Sequence, residues 1–204
     1  EPPSDVYELT VDPETASDLP VYVTVGFEAG QPVALDGERA SFLEALTTLN
    51  AVAGAQGCGR IDSIENRLVG VKSREVYECP GALALITAHK ALEELVLERD
   101  LLRYKLQAEQ DWASLVYDAK WFSPLKEALD GFIATTQQVV TGEVRLKLYK
   151  GSITAVGRRS PYSLYDFELA TYGEDDSFDR DSAKGFIDIY GLYTESWARQ
   201  QQKL

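Results

Sequence analysis

The chain has 204 residues, 45% hydrophobic and 26% charged, an ordinary globular composition with enough length for one main domain and a real core. Its 33 Asp and Glu against 20 Lys and Arg give a formal net charge of −13, a field that repels phosphate backbones and anionic headgroups and argues against general nucleic-acid or membrane-surface binding. With Cys58 and Cys79 the only cysteines and His89 the only histidine, the soft ligands of a structural zinc site are missing and two free thiols in a reducing, cytoplasmic setting are expected; no apolar run approaches the roughly 20 residues that cross a bilayer.

Residues 1–20 carry Pro2, Pro3, Pro13 and Pro20 among acidic and hydroxyl side chains, which predicts an extended opening segment of a chain whose true beginning lies upstream. Val21, Val23, Val25 and Phe27 then alternate with Tyr22, Thr24 and Gly26, the period of a strand, and Glu28 to Pro32 turns the chain into a second strand over 33–35. Ser41 and Glu44 have capping-box spacing ahead of Phe42, Leu46, Leu49 and Ala53, so a helix is expected there, ended by Gly54 or Gly57. Residues 59–77 can form strand or loop. Pro80 and Gly81 open a helix with Leu85, Ala88, Leu92, Leu95 and Val96 on one face, continuing through Glu98, Arg99 and Leu102. A second helical stretch is expected over 111–121, and Ser123-Pro124 starts a third that runs to about Val140. Val144, Leu146 and Leu148 alternate with Arg145 and Lys147 as a strand, which Lys150-Gly151 links to another over 153–156.

Residues 173–182 read as a polar loop or helix start, and 183–202 as a helix interrupted near Gly185 and Gly191. Its Phe186, Ile187, Ile189, Tyr190, Leu192, Tyr193 and Trp197 are more apolar surface than one buried side needs, which marks a partner surface. The order lacks regular strand-helix alternation, so the expected class is α+β: a mixed or antiparallel sheet of hairpins packed against several helices, with a C-terminal helical tail. The expected divisions are the opening segment 1–20, a main domain 21–182 and a tail 183–204.

Familiar catalytic patterns are mostly missing. Gly57-Cys58-Gly59-Arg60 begins like a phosphate-binding glycine fingerprint, but it follows a helix and reads better as a tight turn. His89 lies in a predicted helix beside Lys90 with no identifiable nucleophile, and is expected as a surface or interface imidazole. The stretch 59–77 differs because it gathers both charge signs in an acidic chain. Glu65 can accept hydrogen bonds from an ammonium or amide, Tyr77 can donate or accept, and Arg60, Arg67, Lys72 and Arg74 can hold anions. The competing reading of the same residues is a salt-bridged structural loop, Arg60 with Asp62 and Glu65 with Arg67 or Lys72.

The stretch GRIDSIENRLVGVKSREVYECPG, residues 59–81, resembles a signature in the C-terminal part of the argininosuccinate synthases. The resemblance continues in order through AHKALEEL (88–95), LVYDAKWFSP (115–124), GRRSPYSLYD (157–166) and AKGFIDIYGL (183–192). That family ligates citrulline and aspartate with ATP and magnesium in arginine biosynthesis, releasing AMP and pyrophosphate. The resemblance implies a synthetase domain with an oligomerisation tail, completed by an N-terminal nucleotide-binding domain that binds most of the ATP, and assembly as a homotetramer. It places the family's citrulline-binding Glu and Tyr on Glu65 and Tyr77. Glu75 stands where the family usually has glycine, and Cys79 where threonine is common. The alternative is a non-catalytic assembly or ligand-binding module derived from the same domain.

Overall fold

The computed structural model describes residues 1–170 and 180–202. They separate into two compact units, Glu1–Leu164 and Tyr165–Leu204. The first holds an antiparallel sheet of five strands, in the order β3-β2-β1-β6-β7. Its strands are β1 (Val21–Glu28), β2 (Gln31–Leu35), β3 (Glu38–Arg39), β6 (Gly142–Tyr149) and β7 (Ser152–Arg159). The strands β4 (Arg60–Asn66) and β5 (Lys72–Glu78) pair only with each other.

The alternation in β1 and β6 explains why those two strands occupy the middle of the sheet. Val23, Val25 and Phe27 of β1 and Val144, Leu146 and Leu148 of β6 face the core, and Val25 lies opposite Val144 in the register. Their other face stays wet, with the Arg145 guanidinium over the Tyr22 ring at 4.7 Å. A sheet with one covered face is what strict alternation specifies. All three hairpins of this sheet close on two successive residues with positive φ, Ala29-Gly30, Asp36-Gly37 and Lys150-Gly151, the turn whose twist matches that of antiparallel strands.

The covering layer is α1 (Phe42–Ala55) and α2 (Pro80–Val96). Ser41 and Glu44 form the capping box that starts α1. Leu49 and Ala53 from α1, and Ala84, Leu85, Ala88, Ala91 and Leu92 from α2, join the strand side chains in one cluster. Each large aliphatic side chain buried there contributes roughly 1.5–3 kcal/mol. The α1–α2 crossing is close: a Cβ at Gly81 would come within 2.5 Å of the Leu46 carbonyl oxygen.

The expected continuation of α2 past Val96 does not occur. Leu97 is extended (φ −89, ψ 137), and the Glu98 carboxylate accepts hydrogen bonds from the amides of Asp100 and Leu101, capping a new helix, α3 (Arg99–Tyr117). The apolar period therefore passes through a break, and the Glu98 side chain satisfies two of the amides that a new helix start leaves without a helical acceptor. The stretch expected over 111–121 is the second half of α3, which stops at Tyr117. The next helix, α4 (Pro124–Gln137), is capped by Ser123 and ends three residues before the expected Val140. Trp112 Nε1 donates to Asp130 Oδ1 at 2.8 Å and joins α3 to α4.

Described by itself, the second unit contains α5 (Phe167–Ala170) and α6 (Arg180–Gln201). The helix α6 runs unbroken through Gly185 and Gly191, so the expected interruptions are absent. An isolated glycine costs a helix only about 1 kcal/mol, which its neighbours' propensities can offset. The polar segment expected over 173–182 lies outside the described residues except for 180–182, which open α6. The class is α+β with antiparallel sheets and a C-terminal helix, as the sequence implies.

Candidate functional site

The solitary hairpin β4–β5 carries the mixed-charge stretch. Its register pairs Ile61 with Tyr77, Ser63 with Glu75 and Glu65 with Ser73, and directly opposed residues share a face. Glu65 and Tyr77 therefore lie on the same face but four positions apart, about 13 Å along the strand at 3.3 Å per residue. Their side chains lean toward each other across that gap, and the Tyr77 hydroxyl donates to Glu65 Oε1 at 2.5 Å.

A third residue reaches the same carboxylate. Tyr117, the last residue of α3, donates its hydroxyl to Glu65 Oε2 at 3.0 Å. One carboxylate is thus held by two phenols, one on each oxygen. The Tyr77 phenol is pushed up to about 12, first by its hydrogen bond to Glu65, then by burial and by the neighbouring charges. Tyr117 is raised for the same leading reason, since ionising either phenol would place a second anion against Glu65. At neutral pH both therefore stay protonated donors. Sequence reading had no means to find Tyr117, although it falls in the block LVYDAKWFSP; its role depends on where α3 ends.

None of the ion pairs expected from sequence spacing forms. Arg60 instead leaves the hairpin: Nε donates to Thr10 Oγ1 at 2.8 Å, Nη2 to the Thr10 carbonyl at 3.2 Å, and the guanidinium lies 3.7 Å from the Tyr7 ring centroid. Asp62 takes Arg74, which donates through Nε at 2.8 Å and Nη2 at 2.5 Å and holds the carboxyl below its usual range. Arg67 meets Ser73 Oγ at 3.3 Å and Glu75 Oε1 at 3.4 Å, and Lys72 donates to Asn66 Oδ1 at 2.6 Å. Glu75 thus has a place in the hairpin as the acceptor that steadies Arg67.

The base of the hairpin is fastened to the opening segment. Glu78 accepts from the amides of Glu8, Leu9 and Thr10 and from the Thr10 hydroxyl. Burial pushes its carboxyl up, but those hydrogen bonds outweigh it and hold the group below its ordinary value. Gly59 makes the junction possible: at φ +108 a Cβ would come 2.4 Å from Pro80 Cα, so only glycine fits comfortably.

The remaining candidates lie elsewhere. His89 is half-buried, with Nε2 2.8 Å from Gln137 Oε1 and its ring edge-on to Phe27. Beside it Lys105 is buried between Glu93 and Glu109, at 2.8 and 2.7 Å. A cleft of about 500 Å³ opens there, lined in part by Phe27, Phe42, Ile86, Lys90 and Trp112, with no lining residue from the hairpin. Cys58 and Cys79 are free thiols, both raised by burial. No group of three His, Cys, Asp or Glu side chains with metal-binding geometry occurs among the described residues. Among them, too, no helix is long and apolar enough to cross a membrane.

Comparison with known proteins bears on what this hairpin belongs to. The chain is 54% identical to the argininosuccinate synthase of Rubrobacter xylanophilus over 198 residues, which cover 97% of this chain and 48% of that protein. It is 56% identical to the argininosuccinate synthase of Synechococcus sp. (strain JA-3-3Ab) over 199 residues, 98% of this chain and 49% of the relative. With that of Symbiobacterium thermophilum it shares 54% over 202 residues, 99% and 50%. The chain therefore spans about half the length of these curated relatives. A family model described as the arginosuccinate synthase C-terminal domain matches residues 1–197, and on that match the chain belongs to the argininosuccinate synthase family, as its C-terminal domain.

Proposed function

We propose that this domain supplies the citrulline side of an ATP-dependent carbon-nitrogen ligase that joins L-citrulline and L-aspartate into argininosuccinate in the cytoplasm. The observation that carries the reading is the doubly held carboxylate of Glu65. A carboxylate offers about four acceptor positions, and the two phenols occupy two of them. The others remain for N–H donors, which citrulline carries at both its ureido group and its ammonium end. Tyr77 and Tyr117 keep the acceptor oriented before substrate arrives, so less ordering is needed on binding.

In the reaction, the ureido oxygen of citrulline attacks the α-phosphorus of ATP and pyrophosphate leaves. The aspartate amine then attacks the activated ureido carbon, AMP departs with the C–O electron pair, and the amine proton passes to solvent or a base. Magnesium bound with ATP would offset the charge developing on the phosphates, and the nucleotide-binding domain of the same enzyme would hold most of both. Glu65 and Tyr77 hold citrulline while its ureido oxygen reacts.

The tail is assigned to assembly of a homotetramer. Phe186, Ile187, Ile189, Tyr190, Leu192, Tyr193 and Trp197 are all exposed on α6, an apolar surface of the kind that a partner covers. Sedimentation of the chain with and without residues 186–204 tests this; loss of the tail with no change in mass refutes it. For the site, Glu65→Gln or Tyr77→Phe in the complete enzyme should weaken citrulline use more than ATP use. Unchanged citrulline dependence in both variants removes the assignment. The 204 residues alone should release no pyrophosphate from ATP with citrulline and aspartate, and clear activity would overturn the division of labour.

A further inference from the structure

We infer that Tyr117 is a positioning residue for citrulline, acting through Glu65; this rests on the reading that Glu65 meets citrulline. The hairpin β4–β5 belongs to no larger sheet, and its fastenings to residues 7–12, through Arg60 and Glu78, are at its base. Glu65 is five residues beyond Arg60 toward the other end. Tyr77 cannot steady Glu65 against the rest of the domain, because it rides on the same hairpin. Tyr117 can: it comes from α3, 52 residues away in sequence, and reaches the oxygen that Tyr77 leaves open.

The position of Tyr117 is itself fixed. The chain leaves α3 through Asp118, whose amide donates to the Ser114 carbonyl at 2.9 Å, and Lys120, whose amide donates to the Leu115 carbonyl at 2.8 Å. Between them Ala119 takes φ +59, the left-handed conformation that commonly ends a helix. Five residues before Tyr117, Trp112 is tied to α4 through Asp130. The α3–α4 pair therefore presents a phenol at a defined point, and that phenol fixes the carboxylate. A carboxylate held from two elements keeps one orientation, so substrate N–H donors meet aligned lone pairs.

The test is a double-mutant cycle in the complete synthase, with Tyr117→Phe, Glu65→Gln and the pair, measured as KM for citrulline and for ATP. Y117F should raise the citrulline KM roughly tenfold, the scale of one charge-assisted hydrogen bond, and leave the ATP KM unchanged. In the E65Q background the same change should do much less, since the charge is gone and one acceptor oxygen is left where the carboxylate had two. An equal loss in both backgrounds would make Tyr117 merely structural, and no loss in either would leave it without a role; each result overturns the inference alone. If E65Q by itself leaves the citrulline KM unchanged, the reading of Glu65 falls and this inference falls with it.

Discussion

Replacing Glu65 with glutamine removes the charge that two phenols share while leaving one oxygen able to accept. In the unsubstituted protein, ionising Tyr77 would set a phenolate 2.5 Å from a carboxylate oxygen, and its pKa is pushed to about 12. Without that charge Tyr77 should return toward the ordinary phenol value of about 10. Tyr117, 3.0 Å from the other oxygen, should move down as well. The chain has 11 tyrosines, which overlap in a bulk absorbance titration, so the assay is NMR of ring-labelled tyrosine from about pH 8 to pH 12.5. Y77F and Y117F assign the two resonances. The same shift has a stability consequence. Because the folded pKa of Tyr77 lies above that of the unfolded chain, its contribution is complete below about pH 10 and is lost as pH rises through about 12. Alkaline loss of the hairpin contact should therefore be weaker in E65Q. If the two resonances titrate identically with and without Glu65, the carboxylate is not held as described.

Three further outcomes follow from other parts of the fold. Glu78→Gln should speed hydrogen exchange at the amides of Glu8, Leu9 and Thr10, which its carboxylate now holds. In the unsubstituted protein the latch holds above the usual carboxylate range and loosens as pH falls through the lowered pKa of Glu78; unchanged exchange in the variant would show that the latch carries nothing. Lys105→Met leaves Glu93, 1% exposed, without its cation and should cost about 3–5 kcal/mol in urea unfolding, much of it regained by also replacing Glu93 with leucine. Equal stability of K105M and the parent would show that the buried Lys105–Glu93 contact carries nothing. Gly59→Ala puts a Cβ 2.4 Å from Pro80 Cα at φ +108 and should lower stability by about 1–3 kcal/mol; a thermal midpoint unchanged from the parent would show that the β4–α2 junction relaxes freely.

Much of the framework is local and could be read without coordinates. The alternation in 21–27 and 144–148 specifies strands with one buried face, because a side-chain period of two leaves one register that buries the valines. The capping box at Ser41 and Glu44 and the prolines at 80 and 124 set three helix starts for equally local reasons. The break between α2 and α3 was hidden because Glu98 acts as a cap only when its side chain turns back on the backbone. Nothing in its spacing separates that from a mid-helix glutamate. Gly185 and Gly191 misled in the opposite direction, since glycine weakens a helix without ending it.

The sequence by itself determined the α+β class and the β1–β2 and β6–β7 hairpins, which rest on short spacing, and its resemblance to the family, carried by ordered blocks, singled out Glu65 and Tyr77 as candidates. Partners were beyond it. Arg60 binds residues 10 and 12 rather than Asp62, Arg74 takes Asp62, and Glu75 finds Arg67. Tyr117 arrives at Glu65 from a different helix. Charged side chains a few residues apart have several partners within reach, and which pairs form depends on how the hairpin twists and what packs beside it. Only the tertiary structure decided that, because it alone brings the end of α3 against a carboxylate 52 residues earlier in the chain.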